Sequence, residues 1–154
     1  QNKLLFAVTG KTAAELIVSR AHADAPNMGL TSWQGSVVRK QDITIAKNYL
    51  THDEIDTLNR LVVIFLESAE LRAQNRQDLT MNFWRENVDR MLVFQDKQVL
   101  RGPGRMSNAY MEEQVRRVYA EFDQHRKLTD SQEADVQDMD ELKALEEEIK
   151  KKNP

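Results

Sequence analysis

Two short polar stretches have the composition of a ligand-binding site. The first runs from Pro26 to Trp33 and joins hydrogen-bonding side chains to a flexible glycine and a tryptophan, and the second is Lys47-Asn48-Tyr49. Loops of this composition often contact ligands. If the first stretch folds over the second, two cations and several neutral donors would face one cleft and favour a phosphate or carboxylate: Arg20, Asn27, Thr31, Lys47 and Tyr49. The alternative is that these side chains only satisfy loop backbone.

Three other patterns lack the full residue set of a catalytic or metal site. Gly10-Lys11-Thr12 lacks the first glycine of a phosphate loop, since Leu5 stands at that position, so we interpret it as a turn before a capped helix. The histidines His22, His52 and His125 are far apart and have no metal-site spacing, so no metal or cofactor is predicted. Cysteine is absent, which excludes a thiol nucleophile and a thiolate zinc site.

The charge distribution gives no sign that this chain binds DNA directly. Its net charge is −3, and residues 127–154 hold five lysines against nine acids, which leaves the first 126 residues near neutral. Proteins that bind the phosphate backbone carry a basic surface. The turn from Arg101 to Arg105 could hold an anion, but we interpret its two arginines as solvent-exposed turn residues.

Capping patterns and apolar spacing predict five or six helices. Helix starts are marked by three capping boxes and three single caps: Thr12–Glu15, Thr51–Glu54, Asp130–Glu133, Asp42, Thr80 and Ser107. Leu4 to Val8 could be a buried strand or a helix, and the segment after Asp42 could also be a strand. We therefore predict a mostly α fold, a single irregular helical bundle of five to six helices with an amphipathic acidic C-terminal helix.

The helix after Thr51 is predicted to form the centre of the core. Leu61 to Leu66 is apolar on every side, and a helix without a polar face is normally surrounded by protein. We therefore expect Leu58, Val62 and Phe65 to be deeply buried, and Phe65→Ala to cost about 3–5 kcal/mol.

The residues after Arg126 are predicted to form a separate acidic tail helix, which divides the chain into a body, 1–126, and a tail, 127–154. Lys127 to Ser131 would be the linker, with Leu128 as its one apolar residue. The tail helix has an apolar stripe that must be buried on the body, on a second copy or on a partner protein: Val136, Met139, Leu142, Leu145 and Ile149. We expect self-association, and hence a homo-oligomer.

Several motifs occur in a recognisable order: Thr9 to Glu15, Pro26 to Trp33, Ala46 to Leu50, Leu58 to Arg60, Ala69-Glu70 and Trp84. Together they resemble the C-terminal half of the RhuM family of bacterial virulence-associated proteins, over about residues 2 to 126. The resemblance implies a setting in pathogenicity islands and other mobile elements. It also implies an upstream segment similar to DNA-binding domains of phage antirepressor type, so DNA contact is expected only through that segment. It implies no reaction.

The resemblance also implies a candidate ligand-binding site, because the polar residues shared by the family correspond to Glu15, Arg20, Asn27, Thr31, Lys47, Asn48, Tyr49 and Asn59. Two hypotheses follow. The chain is either a regulatory or oligomerisation domain of a DNA-associated protein, or a catalytic toxin- or effector-like domain acting on an anionic substrate. Convergence of Glu15, Asn27, Lys47 and Tyr49 on one cleft would favour the enzyme, whereas side chains bonded to buried backbone would not.

The sequence contains no membrane segment and no targeting signal. No apolar run approaches the roughly 18 residues of a membrane span, no signal peptide is visible, and the absence of cysteine suits the cytoplasm. We therefore expect a cytoplasmic protein. The chain begins at Gln1, and its first residues resemble the interior of a sequence, so we expect it to be part of a longer protein.

Overall fold

The computed structural model describes residues 2–152, and within that range it contains five α-helices and no strand. They are α1 (Asn2–Thr9), α2 (Ala13–Arg20), α3 (His52–Gln74), α4 (Met81–Phe94) and α5 (Asn108–Lys152). Two 3-10 turns, Pro26–Gly29 and Ala46–Tyr49, lie between α2 and α3. The predicted mostly α bundle is confirmed, and the ambiguous Leu4 to Val8 lies in α1. None of the helices in the described range has an apolar stretch long enough to cross a bilayer.

Two of the three predicted capping boxes begin α2 and α3, whereas Asp130–Glu133 lies inside α5 and begins no helix, contrary to the prediction. The Thr12 hydroxyl accepts the Glu15 N–H at 3.4 Å, and the Glu15 carboxylate accepts the Thr12 N–H at 3.0 Å. Thr51 and Glu54 repeat this exchange at 3.3 and 2.9 Å. Each box satisfies two backbone donors that have no partner inside the helix. The single caps before α4 and α5 are also confirmed: Thr80 and Ser107.

Asp42 does not begin a helix, contrary to the prediction. Its carboxylate instead accepts the backbone N–H groups of Arg39 at 2.9 Å and Gln34 at 3.4 Å. Only 2% of Asp42 is exposed, so these bonds compensate for the loss of water around a buried acid. The helical segment that follows is only the 3-10 turn at Ala46–Tyr49.

The main core lies beside α2, and α3 is not at its centre. Its buried side chains come from α2, the segment between α2 and α3, and the first half of α5, together with one residue of α1: Leu5, Leu16, Ile17, Met28, Val38, Ile43, Tyr49, Leu50, Met111 and Val115. A second, smaller cluster joins α3 to α4 through Leu61, Met91 and Leu92. Most of α2 is therefore enclosed, whereas α3 contributes mainly through one side.

The predicted deep burial of the middle of α3 is wrong. Leu61 and Ala69 are buried, but Leu58, Val62 and Phe65 are only partly buried. Two apolar neighbours on the other side, Val63 and Leu66, are 57% and 56% exposed. The reason is that α1 and α4 pack against α3 without surrounding it. We now expect Phe65→Ala to cost less than about 3 kcal/mol, because the ring is not fully enclosed.

The predicted linker between body and tail is helical. Helix α5 runs without a break from Asn108 to Lys152. The segment contains no glycine or proline that would interrupt its hydrogen bonds, and the Thr129 hydroxyl donates to the His125 carbonyl within the helix at 3.0 Å. The division into 1–126 and 127–154 stays a prediction, and the last two tail residues, Asn153 and Pro154, lie outside the described residues.

Candidate functional site

Arg20, at the end of α2, connects that helix to the start of α3. Its guanidinium donates to both carboxylate oxygens of Glu54, at 2.6 and 2.8 Å, and to the Tyr49 carbonyl at 2.9 Å. The Thr51 N–H also donates to Glu54, so the capping box holds the carboxylate in place. This bidentate geometry is the strong form of an arginine–carboxylate pair. The charge of Arg20 is therefore already compensated within the protein.

The pKa values of this pair are set mainly by the hydrogen bonds between the two side chains. The side chains of Arg20 and Glu54 are 30% and 18% exposed. The hydrogen bonds from Arg20 are the largest cause that lowers the pKa of Glu54 from its ordinary 4.5 to about 2. The same bonds raise the pKa of Arg20. Both groups stay charged at neutral pH, so neither is suited to exchange a proton in catalysis.

Thr31 and Asn48 connect the two predicted binding stretches. The Thr31 N–H donates to the Asn48 carbonyl at 2.7 Å, and the Thr31 hydroxyl lies 2.6 Å from the Leu50 carbonyl. The Asn48 amide donates to the Asp42 carbonyl at 3.0 Å and accepts from the Ser32 hydroxyl at 3.3 Å. The first stretch therefore does fold against the second. These bonds mostly satisfy backbone carbonyls.

Tyr49 is a core residue. Only 1% of it is exposed, and its hydroxyl donates to the Ile43 carbonyl at 2.7 Å. Burial raises the pKa of Tyr49 well above its ordinary value of 10.0. The phenol therefore stays protonated, and its one proton is already donated to backbone.

Glu15 lies apart from this group, at the start of α2. Its carboxylate accepts the Arg105 N–H at 2.9 Å as well as the Thr12 N–H. These backbone hydrogen bonds, that from Arg105 first, lower the pKa of Glu15 below 4.5. Glu15 therefore holds the turn before α5 against α2, and it lines a surface cleft to which the buried Tyr49 does not contribute.

The other three candidates are exposed and make no side-chain hydrogen bond within residues 2–152. Asn27 has a φ of 54°, a left-handed conformation that asparagine tolerates, and Lys47 and Asn59 lie at the surface. The structure thus joins Arg20, Thr31, Asn48 and Tyr49 and leaves the remaining candidates outside that network. Ligand binding by the eight residues stays a prediction, and five of them, Glu15 included, already have a structural partner.

Sequence reasoning missed two important acids, Glu54 and Asp42. Glu54 is visible in the sequence only as a capping residue, because its partner Arg20 lies 34 positions earlier. Asp42 is visible only as a possible helix cap. Neither joins a metal site, since no group of three or more potential ligands occurs in the described part of the chain.

A second candidate surface is the apolar stripe of α5. Every residue from 127 to 152 is exposed, and the five large apolar residues of the stripe are each more than half exposed: Val136, Met139, Leu142, Leu145 and Ile149. At about 100° per residue, the last three lie within about 60° of one another around the helix axis. Leu142 is turned about 180° from the buried Val115. Leu142, Leu145 and Ile149 thus face away from the side that α5 packs on the body, whereas Val136 lies only about 60° from Val115.

Comparison with known proteins gives one match. A sequence model of a family described as "Virulence protein RhuM family" matches residues 1–130, which include the whole body and only the beginning of the tail. No curated protein and no solved structure matches the chain.

Proposed function

Because the chain belongs to the Virulence protein RhuM family, we propose that it is an oligomerisation domain of a DNA-associated bacterial protein from a mobile element. Its tail, the part of α5 from 127 to 152, pairs with the tail of a second copy. The observation that supports this proposal is the uncovered apolar stripe on a helix that extends beyond the body. Pairing would bring together two DNA-binding segments carried elsewhere in the protein.

The stripe is long enough for a helical pair. It runs from Val136 to Ile149, about 20 Å of a helix that continues to Lys152. Full burial of a side chain such as leucine, isoleucine or methionine stabilises by about 1.5–3 kcal/mol. Leu142, Leu145 and Ile149 share one side of the helix, so these three residues from each copy can together offset the entropy lost when two chains associate.

Charge favours an antiparallel pair. In a parallel pair the acids from Asp130 to Glu148 would face the same acids of the second copy, and the C-terminal lysines would face each other. When the two stripes are overlaid in opposite directions, Lys150 and Lys152 of one copy come to the same level along the helix axis as Asp135 and Glu133 of the other, so the basic end of each tail lies at the acidic start of its partner. The arrangement of charges is a recognised determinant of the direction in which helices pair.

Sedimentation equilibrium tests the assembly. We expect the full chain to be a dimer, and a chain ending at Arg126 and the variant Leu142→Glu to be monomers. Ala144→Glu is the matched control, because it adds the same charge about 200° further round the helix, and it should remain dimeric. An unchanged mass after removal of the tail would refute pairing through it.

Single engineered cysteines test the direction, since the chain has none of its own. An antiparallel pair brings the two copies of residue 142 together and separates the two copies of residue 128. Leu142→Cys should therefore form a disulfide-linked dimer under mild oxidation, and Leu128→Cys should not. Linkage of both variants would show a parallel pair.

A further inference from the structure

Two turns that are distant in the sequence form the walls of one cleft. The first follows α1 and contains Gly10-Lys11, and the second is Arg101 to Arg105, before α5. The cleft has a volume of about 670 Å³, which is in the usual range for small-molecule sites. In the sequence, neither turn by itself predicts a binding site. Together they place three cations around one cavity.

The first wall is held by the end of α1. Gly10 has a φ of 72° and donates its N–H to the Phe6 carbonyl at 2.8 Å, so it ends the helix in a conformation that favours glycine. The Lys11 N–H then donates to the Thr9 hydroxyl at 3.2 Å. The backbone of Lys11 is thereby tied down, and its side chain lines the cleft.

The second wall is held against the start of α2. Glu15 accepts the Arg105 N–H, and Gly104 lies so close that an added Cβ would stand 2.6 Å from Thr12 Cγ2. Glycine is therefore required for the turn to approach α2 this closely. Both walls are built on backbone contacts, so the cleft is preformed.

The cleft carries a surplus of positive charge. Lys11, Arg101 and Arg105 line it together with one carboxylate, that of Glu15. Within residues 2–152, none of the three cationic side chains forms an ion pair with an acid within 4.0 Å. The charges of Glu15 and Arg105 do interact, and this is one cause of the lowered pKa of Glu15. Lys11 and Arg101 are therefore the cations most available to an outside anion.

Apolar side chains line the same cavity: Phe6, Leu100 and Met106. We propose that the cleft binds a small organic anion, whose phosphate or carboxylate contacts Lys11, Arg101 and Arg105 and whose apolar part packs on these three residues. Arginine suits such a role because its planar donors match both anionic groups. The cleft shares no residue with the tail, so the proposal is independent of dimerisation.

Calorimetric titration of the full chain with four probes tests the ligand class. The probes are phenyl phosphate, benzoate, inorganic phosphate and phenol. We expect phenyl phosphate or benzoate to bind more tightly than both phosphate and phenol, because only these two combine charge with an apolar ring. The better of the two identifies the anionic group. If phenol binds equally well, or if neither aromatic anion binds at millimolar concentration, the proposal is wrong.

Single variants locate the site. Lys11→Ala and Arg101→Ala should each weaken binding of the better probe about tenfold, the expected effect of losing one charge-assisted contact. Lys40→Ala is the matched control, since Lys40 is also an exposed lysine but does not line the cleft. Thermal unfolding should be unchanged in all three. Unaltered binding in Lys11→Ala and Arg101→Ala, or an equal loss in Lys40→Ala, would overturn the assignment.

Discussion

The two halves of α5 differ in burial although they form one continuous helix. From 108 to 126 the helix contributes Met111, Val115 and Tyr119 to the core, whereas from 127 to 152 no residue is even partly buried. Both halves have an apolar stripe and ion pairs between residues four positions apart in the helix. The comparison shows that an amphipathic pattern determines which side of a helix tends to be buried. Whether another part of the same chain packs on that side depends on the rest of the fold.

Matched methionine substitutions give the largest expected contrast between the halves. Met111 is 5% exposed and Met139 is 54% exposed. Met111→Ala should lower the free energy of unfolding by about 2–5 kcal/mol, the usual cost of a buried methionine. Met139→Ala should change it by less than about 0.5 kcal/mol when measured at concentrations where the chain is monomeric. Denaturant unfolding followed by tryptophan fluorescence measures both changes. Similar losses of unfolding free energy in the two variants would contradict the predicted difference between the halves of α5.

Acid should destabilise the body through Glu54. A carboxyl with a pKa of about 2 when folded and 4.5 when unfolded stabilises fully above about pH 5, and this contribution is lost as the pH falls towards 2. The loss is of the order of 3 kcal/mol. Unfolding of the parent and of Glu54→Gln at pH 7 and pH 2.5 checks this, because the variant should lose distinctly less. Equal losses would mean that other carboxyl groups account for the acid sensitivity.

The same substitution in the two regions sharpens the comparison further. Glu54 bonds Arg20 across two helices, whereas Glu148 accepts from Lys152 at 2.7 Å within one exposed helix. Glu54→Gln should cost about 1–3 kcal/mol at pH 7, since it weakens charge-assisted bonds. Glu148→Gln should cost less than about 0.5 kcal/mol, the range for helical pairs. Thermal unfolding of both variants measures the two losses of stability, and a larger loss in Glu148→Gln would contradict the prediction.

The structure also shows which contacts can be predicted from the sequence and which cannot. The capping boxes at Thr12 and Thr51 were predictable because donor and acceptor lie three residues apart. The ion pair of Arg20 with Glu54 and the bond from Arg105 to Glu15 span 34 and 90 residues. No local pattern specifies such pairs, so the candidate site was only partly assembled from the sequence, and the cleft beside Lys11 was not foreseen.

By itself, the sequence determined the helical class, most helix starts and the apolar sides of the helices, because these depend on neighbours within one or two turns. The tertiary structure alone decided which apolar sides are enclosed. It left much of α3 and the tail from 127 to 152 exposed, and it brought the turns around Lys11 and Arg105 together. The physical reason is that burial depends on elements far away in the chain, whereas capping and helical periodicity do not.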